Sequence, residues 1–182
     1  MNGEQANSNL FLIGFMGAGK STTAAALGEA LEWEVLEMDE YIARHEGMSI
    51  SEIFARKGEA YFRGCETQLL KDCARWGPMV ISCGGGVAMR QENVEAMRAC
   101  GTVILLQASP EVILERVKDD NSRPLLEGHK DVPYISQLMA QRMPKYKAAA
   151  DVTVDTSDLS TPQVRDEILR YIFDSGKGGE RQ

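Results

Sequence analysis

The chain has 182 residues, 43% of them hydrophobic, and carries a net charge of −7. That is enough apolar material for one core with small inserted subdomains, while the acidic balance argues against a broad nucleic-acid surface. No apolar run approaches the roughly 20 residues needed to span a bilayer, and the polar start at residues 1–9 carries no signal-peptide pattern, so a cytoplasmic protein without a membrane partner is expected. Cys65, Cys73, Cys83 and Cys100 form no C-x-x-C pair and read as free thiols of a reducing compartment.

Residues 1–8 read as a disordered lead-in. The first apolar run, Leu10-Phe11-Leu12-Ile13, is a predicted strand, and Ala24, Leu27, Ala30 and Leu31 place a helix over residues 22–31. Between them stands Gly14-Phe15-Met16-Gly17-Ala18-Gly19-Lys20-Ser21. A strand, a glycine loop ending in Lys-Ser and then a helix is the context of a phosphate-binding P-loop. Glycines let successive N–H groups turn inward around a β-phosphate, and the new helix adds the positive end of its dipole. Lys20 is placed to reach the β- and γ-phosphates, and the Ser21 hydroxyl to sit on Mg²⁺. At ordinary glycine usage a chance match in a chain this long is roughly 0.5%. Gly17, Ala18, Gly19, Lys20, Ser21 and Thr22 are therefore the expected triphosphate cradle.

Residues 33–38 read as a second strand ending in acidic residues, with Asp39 where a helix begins. Ligands of an open parallel sheet gather at the carboxyl ends of its strands, so Glu37 and Asp39 are site candidates; the plainer reading makes Asp39 an N-cap. Ser49-Ile50-Ser51-Glu52 is a capping box opening a helix to Lys57. Gly58 breaks that helix, and residues 59–66 begin another on which Arg63 and Glu66 share a face. For Arg63 the plainer reading is a solvated ion pair. Residues 79–83 are a third strand running into Gly84-Gly85-Gly86, three glycines that allow close approach of the backbone to a ligand. This strand carries no acidic residue, which leaves Glu37 and Asp39 to supply the usual acidic metal partner of a P-loop.

Residues 102–106 form a continuous apolar strand. Ser109-Pro110 caps a helix that ends near Lys118. The polar segment that follows, residues 119–131, carries Arg123-Pro124-Leu125-Leu126 and has the profile of a lid. Pro133 begins a helix that Pro144 should kink or restart. Residues 151–155 are the last strand, and Thr161-Pro162 caps a final helix whose Val164, Ile168, Leu169 and Ile172 make a core stripe. Residues 175–182 read as a frayed tail. Five strands separated by helical stretches predict a parallel sheet with helices on both sides. The acidic chain nevertheless places Lys20, Arg63, Arg116, Arg123 and Arg142 in segments leaving strand ends or in the lid, and phosphoryl transfer needs such a concentration of positive charge. No N-K-x-D guanine signature appears, and the short chain with an arginine-bearing lid points to a small-metabolite kinase.

The ordered set formed by the P-loop, Glu37-x-Asp39, Gly58-Glu59-x-x-Phe62-Arg63-x-x-Glu66, Gly84-Gly85-Gly86, Arg123-Pro124-Leu125-Leu126 and Arg142-x-Pro144-x-Tyr146 resembles the shikimate kinases over residues 9–172. The resemblance implies an α/β P-loop fold of the nucleoside-monophosphate-kinase type, with a five-stranded parallel β-sheet flanked by helices. It also implies one kinase domain over residues 1–182, with a substrate-binding subdomain near 38–66 and a lid near 117–130. The implied reaction is ATP plus shikimate giving shikimate 3-phosphate and ADP, with Mg²⁺ as cofactor. By position, Asp39 is implied to bind the substrate hydroxyls and take the proton of the attacking one. Arg63 and Arg142 are implied to clamp the carboxylate; guanidinium forks suit that planar group better than lysines. Gly85 and Gly86 would offer N–H groups, Phe62 an apolar wall, and Glu66 would orient Arg63. Arg123 would close on the phosphates and join Lys20 and Asp39 as catalytic. Arg116 would lie against adenine, Pro162 in the adenine loop, and Ser82 beside the Mg²⁺ shell.

One position departs from the family, which usually has Asp-x-Asp at the end of the second strand where this chain has Glu37-x-Asp39. Glutamate keeps the charge but moves its oxygens by about 1 Å, which a displaced water of the Mg²⁺ shell can absorb. Glu37 therefore stays with Ser21 and Ser82 as a metal candidate. The rival expectations are a gluconate-type polyol kinase, a non-catalytic nucleotide-binding module and a nucleoside-monophosphate kinase. A monomer is expected.

Overall fold

The computed structural model describes residues 9–118 and 131–175. The lead-in at residues 1–8, the Arg123 segment of the expected lid and the tail beyond 175 lie outside the described residues. Strands β1 (Asn9–Ile13), β2 (Glu34–Glu37), β3 (Met79–Ser82), β4 (Gly101–Gln107) and β5 (Val152–Asp155) form one sheet in the order β2-β3-β1-β4-β5. Every pairing is parallel. The whole of β1 and β3 is buried, as expected of strands covered by helices on both faces. Edge strand β2 instead exposes Glu34 and Val35, and a charged residue there discourages further strand pairing.

Because β1 lies between β3 and β4, the chain leaves it in opposite directions. In such a sheet ligands gather at the carboxyl ends of the strands, where the loops after β1, β2 and β3 lie side by side. The helices are α1 (Lys20–Leu31), α2 (Met38–Glu46), α3 (Ile50–Lys57), α4 (Glu59–Cys73), α5 (Gln91–Cys100), α6 (Pro110–Val117), α7 (Val132–Ala149) and α8 (Thr161–Ser175), with a 3₁₀ turn at Val87–Met89. The Ser49 capping box forms with both of its hydrogen bonds, and Ser109 caps α6 with Pro110 as its first residue. Among the described residues no helix is long and apolar enough to cross a membrane.

Several expectations shift. Helix α1 opens at Lys20, two residues earlier than predicted. Asp39 is the second residue of α2, whose N-cap position is Glu37, so the reading of Asp39 as a plain N-cap does not stand. Helix α7 runs through Pro144 without restarting. A proline removes one hydrogen bond from a helix interior, and here tertiary contacts hold the flanking turn in place: Lys145 Nζ donates to the Met89 carbonyl at 3.0 Å and Tyr146 is buried. At α8 the capping residue is Ser160, whose N–H and hydroxyl both donate to Gln163 Oε1 at 2.8 Å. The stripe on α8 packs as expected, with Val164 and Ile168 buried and Leu169 and Ile172 against the core.

Buried Asn9 pins the entry to the sheet. Its Nδ2 donates to the Cys73 carbonyl at 3.2 Å, and its Oδ1 accepts from the Met79 N–H at 3.1 Å. The end of α4 and the start of β3 are thereby held against β1, which fixes where the loop after β3 emerges. The four cysteines form no disulfide.

Candidate active site

The glycine loop is shaped by backbone that other residues rarely adopt. Gly19, the N-cap of α1, has φ +96, and at Gly14 (φ +142) a Cβ would come within 2.2 Å of the Leu106 carbonyl oxygen. Lys20 Nζ donates to the carbonyls of Gly14 at 2.9 Å and Phe15 at 3.0 Å. The ammonium therefore lies across the mouth of the loop, at the end of β1.

Ser21, Glu37 and Ser82 come together from three elements. The Ser21 hydroxyl donates to Glu37 Oε2 at 3.0 Å and stands 3.4 Å from Ser82 Oγ. Parallel register places Glu37 directly beside Ser82 at the strand ends. Among the described residues no group of three or more His, Cys, Asp or Glu could hold a metal on its own. One carboxylate with two hydroxyls suits Mg²⁺, which keeps several waters and takes further oxygens from substrate phosphates.

The triple-glycine loop is where the acidic and basic side chains converge. A Cβ placed on Gly84 would lie 2.8 Å from Asp39 Oδ1 and 2.8 Å from Glu66 Oε1. On Gly86 it would lie 2.3 Å from Arg63 Nη1, and on Gly85 it would be 3.7 Å from Arg142 Nη1 and 3.9 Å from the Tyr146 hydroxyl. The two arginines thus flank consecutive glycines, with Asp39 beside the glycine before them. Tyr146, 1% exposed, donates its hydroxyl proton to the Gly85 carbonyl at 2.6 Å. Burial pushes the Tyr146 phenol up, against Arg142, so the tyrosine stays protonated and serves as a strut.

Arg63 is not a solvated ion pair. Its side chain is 21% exposed, and Nη1 donates to Glu66 at 2.9 Å while Nη2 donates to Glu59 at 3.0 Å. Burial works against the guanidinium charge, and Glu66 and Glu59 more than restore it. Glu66 is 0% exposed, and its Oε1 has no hydrogen-bond partner. Burial pushes its carboxyl up to about 7; Arg63 pulls it down, while Asp39 adds to the rise. Burial thus makes Glu66 a weak acid beside Asp39.

The remaining expected residues fall in other places. Phe62, the expected apolar wall, is 3% exposed and packs against Phe54 with ring centroids 5.1 Å apart, beneath the Arg63 guanidinium. Arg116 donates to the Gly17 carbonyl at 3.1 Å and to Thr156 Oγ1 at 3.1 Å and its carbonyl at 2.8 Å. Its fork therefore ties the P-loop to the segment after β5. Pro162 is exposed in the first turn of α8.

A family model described as shikimate kinase matches residues 16–173. The chain belongs to the shikimate kinase family. It is 40% identical over 161 residues to a shikimate kinase of Dehalococcoides mccartyi, an alignment covering 88% of this chain and 91% of that protein. The shikimate kinase of Acinetobacter baumannii, solved in complex with shikimate, has a TM-score of 0.87 at 32% identity, covering 94% of this chain and 96% of that one. The Aquifex aeolicus shikimate kinase has a TM-score of 0.80 at 37% identity, with 94% and 99% covered. Shikimate kinases use ATP as the phosphoryl donor, which accounts for the P-loop.

Several supports of this site carry no local sequence signal. Buried Thr156 donates to the Ala18 carbonyl at 3.0 Å across 138 residues. Thr67, Asn93 and Arg90 form a hydrogen-bonded group behind Arg63. Nothing local distinguishes these residues from ordinary polar positions, and only the fold brings them to their partners.

Proposed function

We propose that the protein transfers the γ-phosphoryl group of ATP to the 3-hydroxyl of shikimate, giving shikimate 3-phosphate and ADP. The observation that carries this reading is the placement of Arg63 and Arg142 against consecutive glycines, with Asp39 next to them, at the sheet end that also holds the P-loop. A planar carboxylate fits two guanidinium forks, and a ring hydroxyl on the same small acid would then meet Asp39.

Asp39 binds that hydroxyl and accepts its proton as the phosphoryl group arrives. Because the transition state is loose, alignment and charge matter more than base strength. Lys20 offsets charge on the β- and γ-phosphates, and Gly17, Ala18, Gly19, Ser21 and Thr22 cradle them. Gly85 and Gly86 present N–H groups to the substrate. Glu66 keeps Arg63 in place, and Phe62 supports the Arg63 guanidinium from below. Arg116 and Pro162 would border the adenine, and Arg123, in the proposed lid segment 117–130, would act on the phosphates. Residues 38–66 form the substrate-binding subdomain of a single kinase domain.

Ser21, Glu37 and Ser82 fit a Mg²⁺ ion, which would neutralise phosphate charge when bound. A water of that shell would take up the extra methylene of Glu37. The net charge of −7 favours a protein with no nucleic-acid partner. The enzyme would act as a cytoplasmic monomer.

A coupled ADP-release assay with shikimate, quinate, gluconate and nucleoside monophosphates tests the reading. Turnover should be fast with shikimate alone. Faster turnover with gluconate or a nucleoside monophosphate would replace it with one of the rival kinases.

A further inference from the structure

Behind Arg63, away from the triple-glycine loop, two polar side chains are buried together. Asn93 is 0% exposed and Thr67 6%. Asn93 is three residues after the N-cap of α5, and its Nδ2 donates to the Val87 carbonyl at 3.0 Å. A carbonyl can only accept, so this bond fixes the amide orientation and turns Oδ1 toward Thr67. The Thr67 hydroxyl lies 2.7 Å from Asn93 Oδ1 and 3.0 Å from the Arg63 carbonyl, so its single proton sits between two acceptors. Arg90 Nη1 donates to that same carbonyl and to Thr67 Oγ1, both at 3.3 Å.

We propose that Thr67 and Asn93 are positioning residues for substrate, a buried hydrogen-bonded rivet that sets the distance between Arg63 and the loop Gly84–Gly86 and so governs affinity for the substrate carboxylate. This rests on the reading of Arg63 as a carboxylate ligand. The two halves of that binding surface come from different elements, the Arg63 turn of α4 and the loop after β3. The Val87 carbonyl directly follows Gly86, and the Arg63 carbonyl belongs to the residue that reaches over Gly86. The Thr67–Asn93 pair connects these two points through two side chains. Apolar residues could fill the same volume, but an apolar pair has no directional bond and would let α4 slide on α5. A shift of a few tenths of an ångström would move Arg63 against Gly86, where its Nη1 already stands 2.3 Å from the position a Cβ would take.

The hydrogen bonds of Thr67 and Asn93 run to Arg63, to each other and to Val87, away from the P-loop, so nucleotide binding should be insensitive to them. The test is a set of steady-state measurements on Thr67→Val, Thr67→Ser, Asn93→Leu and Arg90→Met, each alone and combined with Arg63→Ala. Thr67→Val and Asn93→Leu should raise the shikimate KM about 10-fold with the ATP KM unchanged. Thr67→Ser, which restores the hydroxyl, should return the shikimate KM to the wild-type value. In the Arg63→Ala background the same changes should have no further effect, because they act through Arg63.

Additive effects in that background, or equal increases in both KM values, would overturn the proposal and leave the pair a purely structural core element. Arg90→Met guards against misfolding of the buried variants. It sits at the surface end of the network and should raise the shikimate KM about 3-fold; no change in any variant that folds would also overturn the proposal. If Arg63→Ala alone leaves the shikimate KM unaltered, the reading of Arg63 fails, a result distinct from failure of the rivet.

Discussion

Asp39 and Glu66 both close on Gly84, so that one point beside the glycine Cα is 2.8 Å from a carboxylate oxygen of each. The φ of Gly84 lies outside the left-handed region, so an alanine is acceptable to the backbone there and only the side-chain space forbids it. Gly84→Ala should fold but push Asp39 away, because Glu66 is buried and tied to Arg63. We expect kcat to fall about 100-fold, the scale of a 1 Å misplacement of a reacting group, with the melting temperature within a few degrees of wild type. Wild-type kcat in this variant, measured by ADP release, would remove the space at Gly84 from the mechanism.

Glu66 makes stability depend on pH in an unusual direction. Its folded carboxyl is raised from 4.5 to about 7 by burial, with Arg63 opposing and Asp39 reinforcing the rise. Between those values the folded protein holds more protons than the unfolded chain, so stability falls as pH rises through this window. The loss approaches about 3 kcal/mol by the upper end. Glu66→Gln should flatten this slope. Urea unfolding at pH 5, 6, 7 and 8 measures it, and parallel curves for wild type and Glu66→Gln would contradict the assignment.

The carboxylate at position 37 should matter more than its length. Glu37 is within 3.0 Å of the Ser21 hydroxyl. Glu37→Gln removes the only negative charge of that cluster and should raise the Mg²⁺ concentration for half-maximal activity about 10- to 100-fold. Glu37→Asp, which restores the residue usual in the family, should stay within about 3-fold, because a water can take up the change in length. A magnesium titration of the three proteins decides the matter. Equal sensitivity in Gln and Asp variants would mean that geometry, not charge, sets metal affinity.

Which parts of this architecture were legible in the sequence follows from how local their signals are. The P-loop could be read because Gly14 to Ser21 must all act within one turn of chain. The Ser49 capping box and the Arg63–Glu66 pair were legible for the same reason, since each links positions only three apart in the chain. At Pro144 the local signal allowed a restart, whereas what carries α7 through as one helix is distant: Lys145 on Met89 and Tyr146 on Gly85. For Asp39 the site reading stood beside a plainer cap reading, which ended when the N-cap fell at Glu37 and left Asp39 in the first turn of α2. Thr156 and Asn93 left no trace, as each is defined only by a carbonyl or hydroxyl brought to it from elsewhere in the fold. The orphaned oxygen of Glu66 was equally invisible, because burial belongs to the packed molecule and not to the residue.

The proposed transfer depends most on Asp39, whose carboxylate lies beside Gly84, next to the glycines that Arg63 and Arg142 face. Its most direct test is Asp39→Asn, with ATP and shikimate binding followed by calorimetry and phosphoryl transfer by single-turnover ADP release. The account predicts that the variant binds ATP as wild type does while transfer falls at least about 1,000-fold. A variant that keeps most of its transfer rate would contradict it.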